Sequence, residues 1–269
     1  MTDVYAVFGN PIAHSKSPAI HAEFARQTHQ DMAYSALLAP MDGFREAVFA
    51  FRDQGGRGAN VTVPFKEQAF ALSTRLSERA ESAGAVNTLV FAPDGIYGDN
   101  TDGAGLVRDL TANLGLNLTG RRILLMGAGG ASRGVILPIL ECSPAELFIA
   151  NRTAEKAKAL AAHFPSEAGQ LTGGGYGDIG GGFDLVVNAT AASLAGDLPP
   201  LPDTVFNAGA LAYDMMYGRD TPFLAFARAR HARVADGLGM LVEQAAEAFR
   251  LWRGVRPDTA PVIRMLRDA

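Results

Sequence analysis

The chain has 269 residues, with 24 Lys+Arg against 28 Asp+Glu and a formal net charge of -4. At 48% hydrophobic and 19% charged residues it is long enough for about two folded domains, and its acidic balance excludes a chain-wide basic face for nucleic acid. No run approaches the roughly 18 apolar residues of a membrane span. Met1-Thr2-Asp3 carries no secretory pattern and Cys142 has no partner for a disulfide, so the cytoplasm is the expected compartment.

Residues 5–8 read as a short buried strand closed by Gly9-Asn10-Pro11. Ser17-Pro18 has the pattern of an N-cap followed by proline at the first helical position, ahead of a helical stripe on Ile20 and Phe24. Residues 32–38 form a second strand, and residues 44–51 carry helical spacing up to Gly55-Gly56. Residues 59–63 are a third strand cut by Pro64, a helix follows from Phe65, and residues 86–91 are a fourth strand. This alternation predicts an α/β domain with a largely parallel sheet. A second unit begins near Asp102-Gly103, with a helix over 106–114 and a buried strand over 122–126. A helix then runs through Leu140, a strand over 146–150, a helix over 156–164, and further strands over 183–188 and 213–215. That is the βαβ rhythm of a doubly wound nucleotide-binding domain. Residues 240–252 make one amphipathic helix whose chain position does not say which domain it packs on. The chain has 30 glycines, a share above the usual figure of about 7%. Seven of them lie between Gly173 and Gly182, a run that reads as a flexible loop on the second unit.

Gly127-Ala128-Gly129-Gly130-Ala131-Ser132 follows the 122–126 strand directly and opens a helix. Such a turn lets backbone approach a pyrophosphate seated on the free N–H groups of the helix. A tight turn without a ligand is the alternative, disfavoured by the strand before and the helix after. The next strand ends in Asn151-Arg152-Thr153, with Lys156 one turn later, where an NAD site would carry an acid for the ribose hydroxyls. A guanidinium there suits a 2′-phosphate, so NADP is favoured over NAD.

Four groups of polar residues in the first unit each allow two readings. Lys66 falls in the first turn of a helix, where an ammonium is disfavoured unless a carboxylate is near. It is either a solvated lysine or a proton donor to a developing alkoxide. Asp102 precedes a helix and is either its N-cap or the partner that orients Lys66. Asn87 and Gln244 lie on apolar faces and need partners, from backbone or from a polyhydroxylated ligand. Ser15 and Ser17 either cap the first helix or hold a carboxylate at its N-terminus. The five histidines and Cys142 show no metal-ligand spacing, so no metal is expected.

Several segments, in order, resemble the shikimate dehydrogenase family over essentially the whole chain. They include Gly9-Asn10-Pro11-Ile12 with His14-Ser15-Lys16-Ser17-Pro18, Asn60-Val61-Thr62-Val63-Pro64-Phe65-Lys66, Gly84-Ala85-Val86-Asn87-Thr88 and Gly98-Asp99-Asn100-Thr101-Asp102-Gly103. The glycine turn, Asn151-Arg152-Thr153, Asn188-Ala189-Thr190 and Asp236-Gly237-Leu238-Gly239-Met240-Leu241 continue the series.

The resemblance implies an N-terminal α/β substrate domain of residues 1–102 plus 240–269, its C-terminal helices packed back onto it. It implies a Rossmann-like NADP-binding domain of residues 103–239. Lys66 and Asp102 become the catalytic pair. Ser15 and Ser17 hold the substrate carboxylate, Thr62, Asn87 and Gln244 its ring hydroxyls, and Tyr217 closes the site. Gly127, Ala128, Gly129, Gly130 and Ala131 hold the pyrophosphate; Asn151, Arg152, Thr153 and Lys156 surround the 2′-phosphate; Met215 and Gly237 lie near the nicotinamide. One departure is Ala191-Ala192-Ser193, where the family usually has two serines and a glycine.

The expected reaction is reversible NADPH-dependent reduction of 3-dehydroshikimate to shikimate in aromatic amino-acid biosynthesis, with the second domain closing over the first. The expected partner is that small molecule, with no nucleic acid and no membrane; monomer and homodimer both stay open. An NAD-using quinate/shikimate dehydrogenase is disfavoured by Thr153-Ala154. A methylenetetrahydrofolate dehydrogenase is disfavoured by the two serines and Asn87. A non-catalytic NADPH-binding regulator is disfavoured by the joint presence of Lys66 and Asp102.

Overall fold

The computed structural model describes residues 2–164, 169–190 and 196–268. It divides into two compact units, Met1–Gly105 with Leu241–Ala269, and Leu106–Met240. No helix among the described residues is long and apolar enough to cross a membrane.

The first unit is built on a six-stranded sheet. Its strands are β1 (Asp3–Gly9), β2 (Met32–Leu38), β3 (Gly56–Val61), β4 (Arg75–Leu76), β5 (Thr88–Ala92) and β6 (Gly95–Asp99), in the order β2-β1-β3-β5-β6-β4. The expectation of a largely parallel sheet needs correction. β1 pairs in parallel with β2 and β3, but β5 runs antiparallel to both β3 and β6. β5 and β6 form a hairpin, and the two short strands β4 and β6 are too mixed in polarity to stand out in the sequence. The reversal has a geometric result: the start of β5 lies beside the ends of β3 and β6.

Helices α1 (Ser17–Thr28), α2 (Phe44–Asp53), α3 (Lys66–Leu72) and α4 (Glu78–Ala83) complete this unit's first stretch. Phe8, Phe44, Phe65, Val48 and Leu89 form one of its buried clusters. A second cluster joins Ile20 and Phe24 of α1 to Val242, Ala245 and Phe249 of α9 (Leu238–Arg253) and Val262 of α10 (Ala260–Arg267). The amphipathic helix of the sequence thus packs on α1, because its apolar face matches the α1 stripe. Its Glu243 and Glu247 are buried too. Each is paired: Arg256 bonds both, and Arg79 and Arg250 also bond Glu247.

The second unit holds an all-parallel sheet in the order β12-β11-β10-β7-β8-β9. The strands are β7 (Arg122–Met126), β8 (Glu146–Ala150), β9 (Leu171–Gly174), β10 (Phe183–Asn188), β11 (Phe206–Asp214) and β12 (Arg233–Asp236). Helix α5 (Asp102–Arg108) leads in and widens into a π-turn over Asp109–Asn113. α6 (Gly130–Leu140), α7 (Ala154–His163) and α8 (Pro222–Arg228) complete the unit. This is the doubly wound arrangement, with the order reversing between β7 and β10. The glycine-rich run was expected to be a flexible loop; instead it supplies the end of β9 and a 3₁₀ turn over Tyr176–Asp178. Residues 191–193, the one departure noted from the family pattern, lie outside the described residues.

Candidate active site

In the first unit the polar candidates gather at the end of the sheet where β1, β3 and β6 finish and β5 begins. β3 stops at Val61, and the chain turns through Thr62, Val63 and Pro64 into α3. The helix was expected to run from Phe65. Phe65 is instead its N-cap and Lys66 its first helical residue. Strand alternation ends there too, so Val63 is exposed while Val61 is buried.

The Lys66 ammonium donates to Asp102 Oδ2 at 2.5 Å. Asp102 Oδ1 accepts from the Asn87 amide at 2.8 Å, and that same amide group reaches Thr101 Oγ1 and Gln244 Oε1. Asn87 Oδ1 accepts the Thr101 backbone N–H at 2.8 Å. Both Asn87 and Asp102 are buried. The N-cap reading of Asp102 is corrected: it is the first residue of α5, and its own N–H is received by Asn100 Oδ1 at 3.2 Å. With that N–H held by Asn100, the Asp102 carboxylate turns to the lysine.

Behind Asp102 lies a clamp that the sequence reading missed. The Asp99 carboxylate accepts two hydrogen bonds from the Arg79 guanidinium, both at 2.7 Å, one from the Ser77 hydroxyl and one from the Asn100 N–H. Asp99 O also receives the Asn87 N–H at 3.0 Å. Burial works against the Arg79 charge, but Asp99 and Glu247 outweigh it and hold the guanidinium protonated. The segment 99–102 is thus fixed at both ends. Ser77-x-Arg79 ahead of an acid twenty residues on was the available signal, but it has no local geometry to read.

The two serines sit where β1 hands over to α1. The N-cap reading of Ser17 is also corrected, since Ser17 lies inside the helix and Ser15 Oγ accepts the Ser17 N–H at 3.3 Å. Ser17 is buried, with its side chain near Tyr34. The Tyr34 hydroxyl donates to Asn60 Oδ1 at 2.7 Å, and Asn60 Nδ2 donates to Thr88 Oγ1 and to the Asn87 carbonyl. A continuous chain of hydrogen bonds therefore joins Tyr34, through Asn60, Thr88 and Asn87, to the Lys66–Asp102 pair. Thr62 is half-buried and its methyl faces Gly9, while Gln244 meets Asn87 and Thr101.

In the second unit the glycine turn has the shape an anion requires. Gly127 sits at φ +107°, a conformation only glycine adopts freely, and its N–H is held by Ala150 O. A β-carbon added at Gly129 or Gly130 would meet nothing within 4 Å, so the approach to the helix start is open. No side chain caps α6 at Gly129, leaving its first N–H groups for a ligand. Buried Ser132 has a hydroxyl with no hydrogen-bond partner among the described residues. Arg152, Thr153 and Lys156 are exposed around the uncapped start of α7, and Asn151 Nδ2 donates to Thr153 O. Along the same sheet end, Met215 N–H bonds Asn188 O and Gly237 N–H bonds Met216 O. A β-carbon on Gly237 would stand 2.3 Å from Met215 O. Tyr217 is half-buried, and burial raises its phenol above the ordinary range. The uncapped helix starts and the exposed cations Arg152 and Lys156 fit the anionic cofactor NADP.

Comparison with known proteins agrees with both halves. The shikimate dehydrogenase substrate binding domain model matches residues 7–89, the shikimate/quinate 5-dehydrogenase model residues 109–195, and the shikimate 5′-dehydrogenase C-terminal domain model residues 237–267. The shikimate dehydrogenase (NADP(+)) of Nitrosospira multiformis is 64% identical, with 100% of this chain and 98% of that protein covered. Among solved structures, an Ael1 enzyme from Pseudomonas putida superposes with a TM-score of 0.95 at 52% identity, covering 98% of each chain. Shikimate 5-dehydrogenase from Thermus thermophilus, solved with NADP(H) and shikimate, superposes with a TM-score of 0.84 at 34% identity, covering 99% of each chain.

Proposed function

The chain belongs to the shikimate dehydrogenase family and is an NADP-dependent oxidoreductase, and from that premise we propose that Lys66 and Asp102 carry its chemistry. The reaction is reversible reduction of 3-dehydroshikimate to shikimate. The observation that supports the assignment is the 2.5 Å contact between Lys66 Nζ and Asp102 Oδ2, at the end of a hydrogen-bonded chain that begins at Tyr34. Ser15 and Ser17 bind the carboxylate of the substrate. Thr62, Asn87 and Gln244 bond its ring hydroxyls, and Tyr217 covers it. The reduced nicotinamide, when bound, supplies the hydride that reaches the ketone carbon.

Lys66 then does the proton work. As the carbonyl oxygen gains charge, the ammonium stabilises it and gives up a proton; in the reverse direction the neutral amine takes the hydroxyl proton. Asp102 keeps the ammonium aimed and, through Asn87, ties it to the amide that meets the ring. Gly127, Ala128, Gly129, Gly130 and Ala131 seat the pyrophosphate, Asn151, Arg152, Thr153 and Lys156 the 2′-phosphate, and Met215 and Gly237 border the nicotinamide. The substrate side of this assignment falls in residues 1–102 and 240–269, the cofactor side in residues 103–239.

The test is a spectrophotometric panel of shikimate and quinate, each with NADP and NAD. Turnover is expected with shikimate and NADP, and its absence refutes the reading. Lys66→Ala is expected to lower kcat by about 10²–10⁴ with KM for shikimate changed only a few-fold. A raised KM with kcat intact assigns the lysine to binding instead.

A further inference from the structure

The glycines between Gly173 and Gly182 do not form an idle loop; they bring one side chain to a defined place. β9 ends on Gly174, in register with Ala150 at the end of β8, and Gly174 O accepts the Asn151 N–H at 3.1 Å. The two strands therefore leave the sheet side by side, one into Asn151-Arg152-Thr153 and the other into Gly175-Tyr176. This closeness depends on Gly173, where an added β-carbon would stand 2.3 Å from Ala157 O of α7. Beyond the strand, Asp178 Oδ2 accepts the Gly175 N–H at 2.8 Å and closes the 3₁₀ turn that carries Tyr176. The Tyr176 ring is half-buried against the cluster of Leu124, Met126 and Ala150. Burial raises its phenol, while the positive charge of Arg152 is near enough to work in the other direction. The hydroxyl has no hydrogen bond among the described residues.

We propose that Tyr176 belongs to the cofactor site, its phenol O–H donating to the 2′-phosphate of NADP beside Arg152, and that the glycine-rich segment is the scaffold that holds it there. The inference rests on the assignment of Arg152 and Lys156 to that phosphate. A packed ring loses little rotamer freedom when its hydroxyl binds, and a hydrogen bond to an anion is stronger than a neutral one. NAD lacks the phosphate, so Tyr176 adds to the preference for NADP.

The test uses the full chain and two probes, adenosine 2′,5′-bisphosphate and 5′-AMP, titrated by calorimetry into wild type, Tyr176→Phe and Arg152→Ala. Phenylalanine keeps the ring packing and removes one oxygen, and an unchanged Tm confirms the turn is intact. Tyr176→Phe is expected to weaken the bisphosphate about tenfold and 5′-AMP by less than about twofold. If Arg152→Ala weakens the bisphosphate and Tyr176→Phe does not, the inference is overturned and the Arg152 assignment stands. Equal weakening of both probes by Tyr176→Phe also overturns it, since the hydroxyl then serves the adenosine. If neither variant affects the bisphosphate, the Arg152 assignment fails and the inference with it.

Discussion

His21 on α1 is fully buried and neither ring nitrogen has a hydrogen-bond partner among the described residues. It is stacked on Tyr34 at 4.1 Å between ring centroids and lies among Phe24, Phe249 and Trp252. Burial lowers its pKa from 6.5 to about 3, and nearby Asn60 opposes the shift only weakly. The unfolded chain takes up a proton at this residue below about pH 6.5 that the folded chain refuses until about pH 3. Stability therefore falls as pH drops through that window, by about 1.4 kcal/mol per pH unit once below the unfolded value. Between pH 7 and pH 5 the loss from this one residue is about 2 kcal/mol. His21→Phe keeps an aromatic ring on Tyr34 and removes the linkage. Its stability at neutral pH is expected to equal or exceed wild type, because two unbonded buried nitrogens are gone. The chain has one tryptophan, Trp252, in the same cluster, so its fluorescence reports unfolding of this unit rather than of the whole chain. Urea titrations at both pH values are expected to show the variant losing about 2 kcal/mol less than wild type. Identical pH dependence in the two proteins refutes the reasoning.

Two further substitutions probe the buried polar groups. Arg79→Met leaves Asp99, 2% exposed, without its bidentate partner, and is expected to cost about 3 kcal/mol in the Trp252-monitored transition; Arg79→Lys recovers only part, lacking the fork. A loss under about 1 kcal/mol shows the clamp to be dispensable. Tyr213→Phe removes the hydroxyl that donates to buried Asp109 at 2.7 Å in the π-turn. It is expected to lower stability of the second unit by about 1–3 kcal/mol, read by circular dichroism in a chain whose Trp252 transition is unmoved.

The second unit was the more legible of the two, because its signals are local. Ile123-Leu124-Leu125-Met126 and the glycines that follow specify strand, turn and helix within a dozen residues, and Arg152 follows from the next strand end. The first unit hid more. Its hairpin β5–β6 reverses direction within a few residues and alternates too little polarity to show, so the sheet looked parallel. Asp102, Lys66, Asn87 and Gln244 could each be singled out by residue type, but their meeting depends on four segments far apart in the chain. The cap assignments of Ser17 and Asp102 failed for one reason: a neighbour, Ser15 or Asn100, accepts the N–H instead. That substitution relieves both side chains of capping and leaves the Asp102 carboxylate to Lys66 and Asn87. The Arg79–Asp99 clamp had no periodic pattern at all, since ion pairs across loops are set by tertiary packing alone.

The first unit is discontinuous, made from residues up to Gly105 and again from Leu241 onward. Ile20 and Phe24 are covered only when Val242, Phe249 and Val262 arrive, so during synthesis α1 waits for the last thirty or so residues of the chain. The second unit is one unbroken stretch with mostly neighbouring strands and needs nothing downstream of Met240. A ribosome therefore releases the two units in reverse of their order in the sequence: the later-encoded sheet can close first, while the earlier one holds an uncovered apolar helix. A chain cut short near Met240 keeps every cofactor-side residue named above yet loses both the lid over α1 and Gln244.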